Sequence, residues 1–238
     1  MKLKAVFFDL DGTLLPMDQD KFINTYLSGL AAKLAPYGYD PGVLAKSIWY
    51  GTGAMIKNDG TRTNEQVFWD TFTSLVGEGV LADIPHFDRF YEEDFDKVSS
   101  VADPKPDAAL LVRRVKNLGL IPVLATNPVF PSIATRKRTA WAGLSTDDFA
   151  LFTSYENSHF CKPNPEYYKE ILGKLSLDPC ECLMVGNDVD EDMITEQLGM
   201  RVFLMTECLI NKSGKDISVY PRGGFKELSE YIDSLLAE

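Results

Sequence analysis

Lys4-Ala5-Val6-Phe7-Phe8-Asp9-Leu10-Asp11-Gly12-Thr13 opens on apolar β-formers, turns acidic at Asp9 and closes on a glycine. A strand buried on one face alternates apolar and polar residues. An unbroken apolar run predicts a central strand of a parallel sheet with helices on both faces. The two-residue period of a strand puts Asp9 and Asp11 on one side of the chain as it leaves the sheet, and Gly12 permits a sharp turn there.

Outward from this stretch, similar runs lie at 120–126, 150–153, 182–186 and 201–206. Helical periodicity separates them at 107–118, where Ala108, Leu111, Val112 and Val115 share a face, and at 131–142, 165–175 and 191–198, with a last helix at 225–236. Alternation of this kind predicts a Rossmann-like α/β core with a parallel sheet and right-handed crossovers. Pro122 donates no ladder bond, so it belongs early in its strand or where a missing donor is tolerated.

Residues 17–100 break the rhythm with aromatic-rich helical stretches at 21–34, 42–55, 64–76 and 87–98. The segment is too long for a loop, so it predicts an inserted all-helical domain, with the α/β core formed by 1–16 and 101–238. Trp49, Tyr50, Phe68 and Trp69 recur at helical spacing and are expected in the core of that insertion. Gly51-Thr52-Gly53 and Lys57-Asn58-Asp59-Gly60 read as its flexible polar stretches. They are candidates for substrate contact, against the plainer reading of helix-to-helix connections.

Composition narrows the function. The 238 residues are 45% hydrophobic and 25% charged, with 24 Lys plus Arg against 35 Asp plus Glu and a net charge of -11. Collagen-like, disulfide-framework and disordered classes are excluded. A nucleic-acid partner is not expected, because phosphate-backbone binding relies on clustered Lys and Arg. No run reaches the roughly 18 uncharged apolar residues of a membrane helix, and acids interrupt the first apolar run, so a cytoplasmic monomer or homodimer is expected. Cys161, Cys180, Cys182 and Cys208 fit no zinc spacing with His86 or His159.

Ligands of open parallel sheets bind beyond the carboxyl ends of the strands. There the sequence sets Asp9 and Asp11, then Thr126 and Asn127, then Lys162, then Gly186-Asn187-Asp188-Val189-Asp190-Glu191-Asp192. Carboxylates gathered at one edge repel one another unless a cation sits among them, and hard oxygen ligands suit Mg²⁺ completed by substrate phosphate. Asp9, Asp11 and Asp188, with a backbone carbonyl, form the expected metal group. A carboxylate attacking phosphorus gives an acyl phosphate, with a second acid to protonate the leaving oxygen. Lys162, Thr126 and Asn127 are the expected phosphate contacts, of which Lys162 and Thr126 offset charge on the phosphoryl oxygens.

The arrangement resembles the haloacid dehalogenase superfamily, in its phosphatase branch. Phe8-Asp9-Leu10-Asp11-Gly12-Thr13-Leu14 matches its Asp-x-Asp-Gly-Thr motif, and Thr126-Asn127, Lys162-Pro163 and the acidic cluster follow in the family's order. The resemblance covers residues 1–16 and about 101–206. It implies that Asp9 is the nucleophile, Asp11 the acid and base, Mg²⁺ the cofactor, and the insertion a helical cap placed after the first motif. Asn187 interrupts the commoner Gly-Asp of the last motif. The metal is therefore assigned to Asp188, with Asn187 and Asp192 supporting and Asp192 orienting Lys162 or a metal-bound water. Asp190 and Glu191 read as acids favourable to a helix start.

The expected activity is Mg²⁺-dependent hydrolysis of a small phosphorylated metabolite through an aspartyl phosphate. Alternatives are a phosphomutase or phosphotransferase on the same scaffold, or a non-catalytic protein binding a phosphate ligand. Asp11 favours phosphate esters, since the resemblance implies that members acting on carbon-halogen bonds lack an acid at that position.

Overall fold

A computed structural model describes residues 2–237. Five parallel strands, β1 (Ala5–Phe8), β2 (Ile121–Leu124), β3 (Cys182–Gly186), β4 (Arg201–Met205) and β5 (Arg222–Gly223), lie in the order β2-β1-β3-β4-β5. Phe8 pairs with Leu124 on one side and Val185 on the other, so the carboxyl ends of three strands stand level where the chain reaches Asp9.

Both faces of β1 are buried, as its unbroken apolar run requires. Val6 and Phe8 pack with Leu124, Val185 and Phe203 against Val112 of α5 (Pro106–Asn117) and Leu228 of α8 (Phe225–Ala237). Ala5 and Phe7 pack on the opposite face with Val123, Met184 and Leu204 against Tyr167, Tyr168 and Ile171 of α7 (Pro165–Leu175). A further helix, α6 (Ser132–Trp141), follows β2.

Two core expectations are corrected, and one strand is unexpected. The run 150–153 lies along the outer edge of β2, where Ala150 N and Thr153 N donate to Pro122 O and Leu124 O and Leu124 N donates to Leu151 O, but it forms only a single bridge, Leu124 to Phe152, in place of a strand. The stretch 191–198 is a 3-10 turn, Met193–Leu198, because Asp188 and Asp192 lie in the loop before it. The short edge strand β5 has no apolar run to announce it. Pro122 sits where its missing donor is not needed: Ile121 N and Ala125 N donate to β1, so Pro122 faces the outer edge, where its carbonyl accepts from Ala150 N.

The insertion leaves the core after an antiparallel bridge between Met17 and Ala102. It contains α1 (Gln19–Leu34), α2 (Pro41–Ile56), α3 (Asn64–Val76) and α4 (Val80–Arg89). Asp18, Asp40 and Thr63 cap the first three, Thr63 in a reciprocal box with Gln66. In place of one helix over 87–98, α4 carries Pro85 and gives way to a π turn at Phe90–Asp94 and a 3-10 helix at Phe95–Val101.

The glycine-threonine-glycine stretch lies inside α2, where Gly51 abuts the Phe68 ring. Leu44, Ile48, Gly51 and Met55 form the buried face of α2, which leaves Trp49 and Tyr50 on the other side, 53% and 55% exposed, against expectation. Phe68 and Trp69 join the insertion's interior through Phe72 and Phe87. Residues 57–60 form a packed turn in which buried Asn58 donates to Arg62 O and to Asn64 Oδ1. No helix among the described residues is long and apolar enough to cross a membrane.

Candidate active site

β1 delivers Asp9 to the level edge of the sheet, and Asp9 N still donates to Val185 O. The residue is 7% exposed, and its carboxylate accepts a 2.8 Å bond from Lys162 Nζ. The chain then reverses through Gly12 at φ 87°, with Gly12 N donating to Leu15 O. A side chain at Gly12 would be strained by that φ and would also collide with Asn187, 2.4 Å from an ideal Cβ. Asn187 braces this turn: Oδ1 accepts from Thr13 Oγ1 at 2.9 Å and Nδ2 donates to Cys208 O at 2.7 Å. Both ends of its amide are engaged, which fits the supporting role expected of it.

Lys162 is 1% exposed and bridges two carboxylates, Asp9 and, at 2.7 Å, Asp192 Oδ1. Burial works against its charge, but Asp192 and Asp9 outweigh it and hold its pKa well above the ordinary lysine value. Asp192 is also 1% exposed; its Oδ2 accepts from Asp188 N, and Tyr168 Oη lies 3.4 Å from its Oδ1. Burial pushes the pKa of the Asp192 carboxyl up, against the pull of Lys162. Gly186 makes this packing feasible, since a Cβ there would fall 2.0 Å from Asp192 Oδ2.

The loops after β2 and before the Pro165–Leu175 helix are tied together. Thr126 is 2% exposed, and its carbonyl accepts from Thr153 Oγ1 and Tyr167 Oη. Asn127 Oδ1 accepts from Lys162 N, and its Nδ2 donates to Glu191 Oε2 at 3.2 Å. One amide hydrogen of Asn127 is left for a ligand. Glu191 therefore faces the site and is more than an acid at a helix start. Burial raises its pKa, Lys162 opposes that, and Asp188 and Asp9 add to the rise.

Asp11 lies on the other side of the turn. Its Oδ2 accepts from Arg138 Nη1, and its Oδ1 is buried without a hydrogen-bond partner among the described residues. Burial raises the Asp11 pKa, Arg138 draws it down, and Asp9 pushes it up. Arg138, 1% exposed with its guanidinium 4.6 Å from the Phe130 ring, is absent from the sequence-based set. The signal lay in its helix: Ala134, Thr135 and Thr139 share its buried face, and an arginine there needs a buried anion.

Five carboxylates, Asp9, Asp11, Asp188, Glu191 and Asp192, thus share one edge with two cations, Lys162 and Arg138. No three Asp, Glu, His or Cys side chains among the described residues converge as a ready-made metal cage. Mg²⁺ does not need one, because it binds through one or two carboxylates and retains water and phosphate oxygens. Asp9 and Asp188 each keep one oxygen out of the hydrogen bonds described, Asp188 having given Oδ1 to the N–H groups of Asp190 and Glu191. The Asp11 carboxylate is turned to Arg138, which leaves its main-chain oxygen, free of backbone bonds, as its ligand for an ion. The excess of hard anionic oxygen fits a divalent cation.

A cavity of about 360 Å³ opens from this edge between core and insertion. Asp11, Asn127, Glu191 and Lys212 line its polar end, and α1, α2 and α3 supply most of the remainder.

This architecture matches known proteins. The chain is 24% identical over 203 residues to "Putative phosphatase YhcW" of Bacillus subtilis (strain 168), which covers 85% of this chain and 83% of that protein. Among solved structures, it superposes on a HAD phosphatase from Thermococcus onnurineus with a TM-score of 0.58 and 18% identity, covering 97% of this chain and 98% of the other. It superposes on a 2-haloacid dehalogenase from Pseudomonas syringae pv. Tomato DC3000 with a TM-score of 0.61 and 20% identity, covering 98% and 99%. The magnesium-bound HAD-hydrolase YfnB of Bacillus subtilis gives 0.57 and 17%, covering 98% and 100%. These likenesses establish the fold. Residues 3–195 match the model of the haloacid dehalogenase-like hydrolases, and the chain belongs to that family of hydrolases.

Proposed function

We propose that this hydrolase cleaves a small phosphomonoester through an aspartyl phosphate on Asp9. The observation that carries the reading is the unequal treatment of two carboxylates on one turn. Asp9 accepts from the buried ammonium of Lys162, while Asp11, which lines the cavity, pairs through Oδ2 with Arg138 and keeps a buried Oδ1 without a partner among the described residues. The first environment favours an anionic nucleophile and the second a proton carrier.

Asp9 attacks phosphorus with a carboxylate oxygen, the bond to the ester oxygen breaks, and Asp11 gives that oxygen its proton. Water then attacks phosphorus, its proton passes to Asp11, the bond to Asp9 breaks and phosphate leaves. Lys162 and the Thr126 hydroxyl offset the charge on the phosphoryl oxygens, with Asn127 beside them. Asp9 and Asp188, with the main-chain oxygen of Asp11, would hold Mg²⁺. When bound, the ion would supply positive charge to the phosphoryl oxygens. Asp192 and Asn187 act through others, the first on Lys162 and the second on the Gly12 turn. The leaving group lies in the cavity, where the insertion shields the site from bulk solvent while leaving room for the hydrolytic water once the alcohol departs.

The test is phosphate release from a panel of phosphomonoesters in the presence of Mg²⁺, with haloacids and added alcohol acceptors in parallel. Release of phosphate that vanishes with chelator and in Asp9→Asn supports the reading. Halide release without phosphate release, transfer to the alcohol in place of water, or turnover by Asp9→Asn would each overturn it.

A further inference from the structure

The cavity beside Asp11 has an unusual division of chemistry. Every polar group that suits phosphate stands at one end. Lys212 lies two residues beyond Ile210, which bonds to Asn187 and Val189, so the only lining cation belongs to that end. Beyond it the walls are dominated by Phe22, Ile48, Trp49, Phe68, Trp69 and Phe130, from four different segments, with Gln19, Thr52 and Tyr155 as the neutral polar side chains besides a tyrosine pair. Tyr26 and Tyr91 also face it, but their hydroxyls, 2.9 Å apart, bond to each other and so leave one O–H between them. The charged residue away from the phosphate end is Asp88, an anion.

This wall offers no counter-ion to a carboxylate or second phosphate and few free donors or acceptors to the hydroxyls of a sugar. Buried polar substrate groups without partners are penalised, whereas an apolar group loses only contact with water. The volume, about 360 Å³, lies in the range of small-molecule pockets, about 300–1,000 Å³, and exceeds what a two-carbon leaving group fills.

We infer that the substrate is the monophosphate of an apolar alcohol, with an aromatic or branched hydrocarbon body and no second anionic group. The inference rests on the phosphatase reading of the same site and adds what lies beyond the ester oxygen. Trp49 and Trp69, on facing helices, are the residues that set this preference.

The test compares phenethyl phosphate with glycerol phosphate, glucose 6-phosphate and phosphoglycolate, all esters of primary alcohols, so that leaving-group chemistry is similar. Phenethyl phosphate should show a kcat/KM about tenfold to a hundredfold above the other three, mostly through KM. Trp49→Ala should narrow that ratio. A second measurement separates binding from chemistry: phenethyl phosphate should quench tryptophan fluorescence of the Asp9→Asn protein at lower concentration than glycerol phosphate does. Equal or better turnover of the polyol or carboxylate esters overturns the inference and leaves the phosphatase reading standing. Preferential quenching by phenethyl phosphate without turnover of any ester by the unmodified protein overturns the phosphatase reading and supports the apolar specificity. Absence of preferential quenching overturns the inference whatever the turnover.

Discussion

Arg138 and Asp11, 127 residues apart in sequence, form an ion pair in which the arginine is 1% exposed and the second carboxylate oxygen is buried without a partner among the described residues. The pairing fixes the orientation of the Asp11 carboxylate. It also explains why an arginine is tolerated on a helix face otherwise made of Ala134, Thr135 and Thr139.

Arg138→Met keeps much of the side chain's volume and its contact with Phe130 while removing the charge. We expect kcat to fall about tenfold to a hundredfold with a smaller change in KM, because the partner that orients Asp11 is lost. A structural role alone would not produce coupling to Asp11. In a thermal-denaturation cycle, Asp11→Asn and Arg138→Met should be non-additive by about 1 kcal/mol or more. Additivity within about 0.5 kcal/mol would refute the pairing.

Lys162→Met leaves Asp9 and Asp192 as buried carboxylates without their shared cation. Removal of one partner of a buried pair costs about 3–5 kcal/mol, and mutual repulsion adds to that here. Urea unfolding should report a loss of this order together with loss of turnover. Asp192→Asn retains the shape, so it should leave most of the stability while lowering kcat by an order of magnitude or more. Wild-type kcat in that variant would show that Asp192 does not position Lys162.

Much of this site was legible because its signals are local. Burial on both faces leaves no polar residue between Ala5 and Phe8, and the acids begin where the strand ends. Asn187 and Asp192 stand next to the strand whose end they decorate. Arg138 was not legible, because the anion that explains it lies on another element. The strand expected at 150–153 failed for a related reason: apolar residues declare burial, but not a partner edge, and Phe152 finds only one. Within α2, composition could not tell which side of the helix faces inward. Ile48 and Gly51 lie there, while between them Tyr50 turns outward and Trp49, half exposed, borders the cavity.

Asn64 joins the insertion to the loops that carry the site. Wholly buried at the first turn of α3, it accepts from Asn58 Nδ2 and donates to Phe160 O at 3.2 Å and Pro128 O at 3.3 Å. Its own N–H reaches Ser158 O. Asn64→Ala strands several buried groups at once and should cost roughly 1–3 kcal/mol in urea unfolding. Because Cys161 and Lys162 follow Phe160 directly, turnover should fall as well. A variant as stable as the parent would show that these bonds are replaced by water at no cost.

Glu170 provides the pH dependence that is independent of the acidic cluster. Its side chain is 14% exposed and accepts from Lys174 Nζ, from the His159 ring at 2.8 Å and from His159 N at 3.0 Å. Burial alone would raise its pKa, but these bonds together hold it below the ordinary glutamate value. A carboxylate whose pKa is lower folded than unfolded contributes stability above its unfolded pKa, and loses it as pH falls through the folded value. Glu170→Gln should therefore lower stability by about 1 kcal/mol at pH 7, with the deficit shrinking below about pH 4.5 as the parent's carboxylate protonates. Melting temperatures of both proteins measured from pH 7 to pH 3 should converge at the acid end. Parallel curves across that range would mean that the charge on Glu170 does not contribute to folding, and that its hydrogen bonds serve equally well from a neutral acceptor.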